Sequence, residues 1–218
     1  MTSRDLQALD EFVQRTTPLL AATHAASLGD MADAGHRYVV SRDGLHVQFK
    51  RRWVKGSALL APCPAPLPFG PPPSAGPILS CGPVPASLVR EFLAEARRVA
   101  PVEVAGWIVW REPDGASCAG SWKLIVLRTL AASGGMVRFE RPQLAAGEHL
   151  VVDIHSHGRH RAFFSAQDDA DDADVSIVKF SVVLGQVMEI TASTAVRFCA
   201  CGAFINIGGL DEILDANR

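Results

Sequence analysis

The chain has no excess of charge of one sign. Its 21 Lys and Arg stand against 23 Asp and Glu, for a net charge of −2 and a pI near 6.4. That balance gives the whole chain no grip on nucleic acid or on an acidic membrane surface. It has no long apolar run either: nothing approaches the ~20 residues that a membrane-spanning helix needs. The opening MTSRDLQALDEF lacks the basic-then-apolar layout of a secretory signal. The expectation is a cytoplasmic protein with neither membrane nor nucleic acid as partner. Cysteine is sparse: Cys63, Cys81, Cys118, Cys199 and Cys201 are the five. An odd number at irregular spacing makes a poor disulfide framework, and no C-x-x-C pair is present for a structural zinc site. Cys199 and Cys201 share a face of a strand-like run and read as buried small hydrophobes, with a ligand or redox role as the alternative.

What remains is a globular composition, 48% hydrophobic and 20% charged over 218 residues. Ten of the fourteen prolines fall between Pro62 and Pro85. Proline fixes φ and lacks the N–H, so this stretch holds neither a helix nor an interior strand. It reads as a spacer or, less simply, a packed arm. Three parts follow: residues 1–60, a Pro-rich linker or arm at 61–84, and a larger domain at 85–218. In the first part Leu6, Leu9, Phe12 and Val13 have the 3/4 spacing of an amphipathic helix. Asp43-Gly44, between β-rich runs, predicts a two-residue hairpin turn. Arg37 to Lys55 carries six basic residues against one acidic. A docking face for an acidic partner or for nucleic acid is one reading; a solvated hairpin surface is the plainer one.

The larger part opens with PASLVREFLAEARRVA, where Leu88, Phe92 and Ala96 mark one helical face over Ser87–Ala100. Strand-like runs follow at Ala105–Trp110, Trp122–Arg128, Gly135–Glu140, Leu150–His155, Ser176–Leu184, Val187–Thr191, Ala195–Ala200 and Ala203–Ile207. One acidic, helix-like run interrupts them at Ala166–Ala173. A helix followed mostly by strands argues for an α+β domain.

The chemistry concentrates in VVDIHSHGRHRAFFSAQDDADD. His155 and His157 are two apart, so in a strand they project from one face. Two imidazoles so placed can hold Zn²⁺ at about 2.0–2.1 Å each. Ser165 fits a helix N-cap, and Asp168 lies in the first turn after it. A loop of this length can fold Asp168 back onto the histidines. Two His and one carboxylate leave a coordination position open, which is the catalytic zinc pattern.

His-x-His, then seven residues, Ser, two residues and Asp resembles the JAMM motif of the JAB/MPN metalloprotease family, in its bacterial form. The resemblance covers roughly Pro85 to Ile207 and implies the mixed, cytidine-deaminase-like sheet flanked by helices. It implies one zinc per chain held by His155, His157 and Asp168, with water in the fourth position. The family's upstream glutamate corresponds to Glu103 in APVEVAGWIVW, with the local pattern Glu103-x-x-Gly106. By that resemblance Glu103 is the general base and Ser165 helps stabilise an oxyanion. The residues alone equally allow Ser165 to be a helix cap. Gly158 departs from the proline common at that position. The tract also resembles the JAB proteins of PRTRC gene cassettes, which implies a ubiquitin-like or sulfur-carrier-like protein substrate and a ThiF/E1-like partner.

Other residues have competing readings. Asp153, on the face of the histidines, is either an acceptor orienting an imidazole or a polar residue at a sheet end. His160 is a weak fourth-ligand candidate. Asp169, Asp171, Asp172 and Asp174 are expected to favour the helix N-terminus or face water. Trp107 and Trp110 read as core or groove wall. The activity implied is peptide or isopeptide hydrolysis, at a protein C-terminal tail. The alternatives are a non-catalytic partner-binding scaffold and a metal-dependent phosphoesterase. The latter is weakened because no histidine follows His160.

Overall fold

Two blocks of strand-forming sequence flank the proline-rich stretch, and each forms its own sheet. The computed structural model describes residues 3–24, 28–74, 76–114, 119–133 and 136–215. Gly135 and Cys118 lie outside the described residues. The chain divides into two compact units, Met1–Ser80 with Ala200–Ile205, and Cys81–Cys199 with Asn206–Arg218.

In the first unit, helix α1 (Ser3–Thr16) is followed by β1 (Leu19–Ala21), β2 (Gly35–Ser41), β3 (Gly44–Lys50), β4 (Val54–Pro62) and β5 (Gly76–Leu79). They form one sheet in chain order. Val39, Val47, Phe49, Val54 and Ala58 are its buried apolar residues. The helix is where its 3/4 spacing predicts, but Leu6, Leu9, Phe12 and Val13 are exposed. The hairpin turn is shifted by one residue. Ser41 pairs with Gly44, so Arg42-Asp43 forms the loop. Gly44 serves another purpose: at φ 146° a Cβ there would sit 2.2 Å from the Ala61 carbonyl oxygen, so the glycine admits β4.

The proline-rich stretch is a packed arm, not a free spacer. Its backbone finds partners in the sheet's own loops: Leu67 N–H donates to Arg42 O at 2.8 Å and Gly70 N–H to Ala22 O at 2.9 Å. Pro77 lies in the edge strand β5, where a missing N–H is tolerated. Much of the basic charge is consumed internally. Lys50 Nζ donates to Met31 O and Ala32 O at 2.6 and 2.9 Å, Arg51 reaches Gly35 O at 2.7 Å, and Lys55 pairs with Asp30 at 2.9 Å.

The second unit holds β6 (Val84–Pro85), α2 (Ala86–Val99), β7 (Ala105–Arg111), β8 (Ser121–Val126), β9 (Thr129–Ser133), β10 (Met136–Phe139), β11 (Glu148–Ser156), α3 (Ala166–Asp172), β12 (Val178–Gly185) and β13 (Ser193–Ala200). Five strands run in the order β13-β12-β11-β7-β8. β11 is parallel to β12 and antiparallel to β7. The result is the expected α+β, mixed-sheet architecture. The core includes Phe92, Ala96, Ile108, Val152, Ile154, Phe180, Val182 and Phe198. Phe180 and Phe198 meet edge-to-face at 4.8 Å. Gly106 makes the helix contact possible: a Cβ there would lie 3.0 Å from Phe92 Cδ2.

Two strand expectations need correcting. Val187–Thr191 is a turn segment. Gln186, at φ 51°, turns the chain, and the Arg97 guanidinium takes the carbonyls of Val187 and Glu189 at 2.7 and 3.1 Å. Thr129–Ser133 is a strand that the apolar pattern hid; it pairs antiparallel with β10.

Candidate metal centre

β11 is central, with Val151, Val152, Ile154 and Ser156 buried, and its C-terminal end delivers the histidines. Inside β11, His155 stands opposite Ala105 of β7 and Val183 of β12. His157 lies one residue past the strand, yet its N–H still donates to Leu184 O at 2.8 Å. The two rings therefore stay on one face, with Nε2 to Nε2 at 3.2 Å.

Asp168 comes from the first turn of α3. Ser165 caps that helix in both directions. Its hydroxyl accepts from the Asp168 N–H at 3.2 Å, and its own N–H donates to Asp168 Oδ2 at 2.7 Å. The Ser165 hydroxyl also donates to Oδ2 at 2.7 Å. With Oδ2 so engaged, Oδ1 faces His155 Nε2 at 3.4 Å. The ligand atoms of His155, His157 and Asp168 all lie within 4.8 Å of one another. Four tetrahedral ligands at zinc's ~2.0–2.1 Å lie about 3.3 Å apart. The separations of 3.2 and 3.4 Å fit that spacing.

Burial pushes His157 below the ordinary imidazole value and the neighbouring His155 adds to this, while the charges of Glu103 and Asp168 oppose it. The net direction favours the neutral ring, the state a ligand needs. Its Nδ1 is buried without a hydrogen bond of normal geometry, although the Arg161 backbone lies near enough to favour its proton. Phe163 stands edge-on to the same ring at 4.5 Å.

Glu103 belongs to the same place. It precedes Val104, whose N–H donates to Ser156 Oγ at 3.1 Å and whose carbonyl accepts from Ser156 N–H at 2.9 Å. That double link holds the start of β7 beside the end of β11. Glu103 is half-buried there and acts electrostatically on His157. Gly158 accounts for its own departure from proline. Its φ of 55° is closed to proline, and a Cβ would stand 2.7 Å from the Pro101 carbonyl oxygen, two residues before Glu103.

Residues 85–200 match Prok-JAB, described as prokaryotic homologs of the JAB domain. The match spans more than half of the chain. The chain belongs to the Prok-JAB family. Residues 7–75 separately match a domain of unknown function, DUF2016. No curated protein matches the chain.

Within this Prok-JAB domain several expectations are revised. His160 is exposed and is not part of the ligand group. Trp107 and Trp110 are buried core residues, one of the two readings, and Trp110 stacks on His149 with ring centroids 5.8 Å apart. The thiol of Cys199 is pushed up to about 12 by burial, which makes it an inert core residue. Asp153 does not orient an imidazole; it accepts from Lys179 Nζ at 2.6 Å.

The larger correction concerns the other aspartates. Asp172 neither faces water nor serves a helix terminus. It is 4% exposed and pairs with Lys179 at 2.8 Å and Arg197 at 2.7 Å. Asp169 pairs with Arg197 at 2.5 Å. Burial raises the Asp172 pKa, but the Lys179 charge and hydrogen bonds from Lys179, Ser181 and Arg197 outweigh this and hold it below the usual carboxylate value. Lys179 and Arg197 were missed. The signal for both was a single cation inside an otherwise apolar strand, VKFSVVLG and STAVRFCA. No helix among the described residues is long and apolar enough to cross a membrane.

Proposed function

We propose that this chain is a zinc-dependent metallopeptidase or isopeptidase that acts at the C-terminal tail of a ubiquitin-like or sulfur-carrier-like protein. The observation that carries this reading is the convergence of His155, His157 and Asp168, with Glu103 close enough to act on His157. His155, His157 and Asp168 are the residues that would hold zinc. Bound there, zinc supplies Lewis acidity and brings the pKa of a water to about 7.

Glu103 takes the proton of the attacking water and returns it to the leaving amine. Its backbone neighbour Val104 is bonded to Ser156, which holds the main chain that carries Glu103 beside the end of β11 and supports this role. Ser165 orients Asp168 through its hydroxyl and its N–H. For that hydroxyl to stabilise an oxyanion as well, it must leave Asp168 during the reaction. The ThiF/E1-like partner follows from the PRTRC-cassette resemblance and belongs to this same reading.

The test is metal analysis together with cleavage of a ubiquitin-like protein bearing a Gly-containing tail, read by mass spectrometry. About one zinc per chain and a shortened tail are expected. Glu103→Gln should keep the zinc and abolish cleavage. No zinc after reconstitution would leave the partner-binding scaffold as the reading. Hydrolysis of phosphodiesters alone would point to the phosphoesterase.

A further inference from the structure

The helix that supplies Asp168 has almost nothing hydrophobic to hold it. α3 is AQDDADD, seven residues, and its one buried residue is Asp172. A helix this short does not persist alone, and Ala166 and Ala170 offer little apolar surface. Like charges crowd it as well: Asp168, Asp169, Asp171 and Asp172 lie in one helix of seven residues. Left to themselves they favour dispersal of the segment.

Two cations answer this from the sheet. On β13, Arg197 sends Nε and Nη2 to Asp172 Oδ2 at 3.0 and 2.7 Å, and Nη1 to Asp169 Oδ1 at 2.5 Å. On β12, Lys179 joins Asp172 at 2.8 Å to Asp153 of β11 at 2.6 Å. The guanidinium also lies 3.9 Å over the ring of Phe164, the residue before the Ser165 cap. Asp169 and Asp172 are three apart and share a helix side. Fixing that side fixes the rotation of the helix, and with it the direction of Asp168.

We propose that Arg197 and Lys179 are positioning residues that anchor α3 to the sheet and hold Asp168 in ligating register with His155 and His157. The proposal rests on the metal-site reading above and goes beyond it, because the carboxylates these cations meet, Asp153, Asp169 and Asp172, are not in the ligand group. Asp153 gains a role too: it tethers Lys179 to the strand that carries the histidines. The chain of carboxylate, ammonium, carboxylate and guanidinium thus ties the third ligand to the first two.

The test is zinc affinity by competition with a chromogenic chelator, read beside the visible spectrum of the cobalt-substituted protein. Arg197→Met should weaken zinc binding about 10–100-fold and change the intensity of the cobalt bands as Asp168 is lost as a ligand. Arg197→Lys should recover part of the affinity, since one ammonium serves Asp172 but cannot fork to Asp169. Asp169→Asn removes one arm at a side chain that is 54% exposed, so folding survives; it should weaken zinc binding by a smaller factor. A purely structural network would lower the metal-free melting temperature and leave cobalt bands and zinc affinity as in the wild type. That result in Arg197→Met overturns the proposal, and unchanged affinity in Asp169→Asn does so should Arg197→Met fail to fold. A wild-type chain that takes up neither metal overturns the metal-site reading along with it.

Discussion

Replacing Lys179 by Met tests whether the second unit is held together by a buried charge network. The ammonium is 7% exposed and its partner Asp172 is 5% exposed at the side chain. Methionine fills similar volume but leaves Asp172 with Arg197 and Asp153 with no cation from β12. Removing one partner of a buried ion pair costs about 3–5 kcal/mol where the charge left behind is uncompensated; because Asp172 keeps Arg197 and Asp153 is partly exposed, the low end of about 3 kcal/mol applies. For a unit of this size, each kcal/mol moves the melting temperature by roughly 4 °C, so the expected drop is roughly 12 °C. The assay is calorimetry on the full chain with a chelator present, at pH 7 and on acidification. Asp172 is held below its ordinary pKa of 3.8. Its contribution is therefore present above that value and lost as pH falls through the lower folded one. The gap between wild type and Lys179→Met should narrow as pH drops toward that range. Lys179 is raised above its ordinary 10.5 despite burial, by Asp153 and Asp172, so its contribution should persist through mildly alkaline pH. A drop of less than ~4 °C at pH 7, or a gap that acid leaves unchanged, would refute the reasoning.

Gly158→Ala should destabilise by roughly 2–3 kcal/mol in chemical denaturation, from left-handed strain and the clash with the Pro101 carbonyl; a neutral result would show that the loop yields freely. Gly106→Val should cost about 1–3 kcal/mol by forcing Phe92 away from β7, measured by the same denaturation. Ser165→Ala should lose about 1 kcal/mol of stability with the cap, and isothermal titration should still detect zinc, because the Ser165 N–H continues to hold Asp168 Oδ2. Zinc at a hundredfold excess over its Kd should stabilise the wild type by about 2.7 kcal/mol, visible as a rise in melting temperature that His155→Ala abolishes.

The placement of the histidine pair, the serine and the aspartate was legible because it follows from spacing along short local segments. A period of two puts His155 and His157 on one face, and a serine three residues before Asp168 forms a capping box. Gly44 was read as a turn residue because the local pattern suits a turn, whereas its real constraint is the Ala61 backbone from another strand. The sequence leaves the proline stretch open between spacer and packed arm because its hydrogen-bond partners, Arg42 and Ala22, lie far back in the chain. Asp169 keeps to its expectation, in the first turn and 54% exposed, but an acidic run hides that Asp172 is buried until its cations are found. Those cations sit in strands that reach the helix only after the sheet is assembled.

The sequence by itself determined most of the element types, the α+β class and the shared face and capping box that bring His155, His157 and Asp168 together as a candidate ligand group. These depend on periodicity and short spacings, which the polypeptide carries locally. The tertiary structure decided which glycines are contacts, that the proline stretch packs as an arm, and how α3 is fastened. Those outcomes depend on groups that are remote in the chain and adjacent in space, and a buried charge such as Asp172 becomes affordable only where Lys179 and Arg197 arrive to meet it.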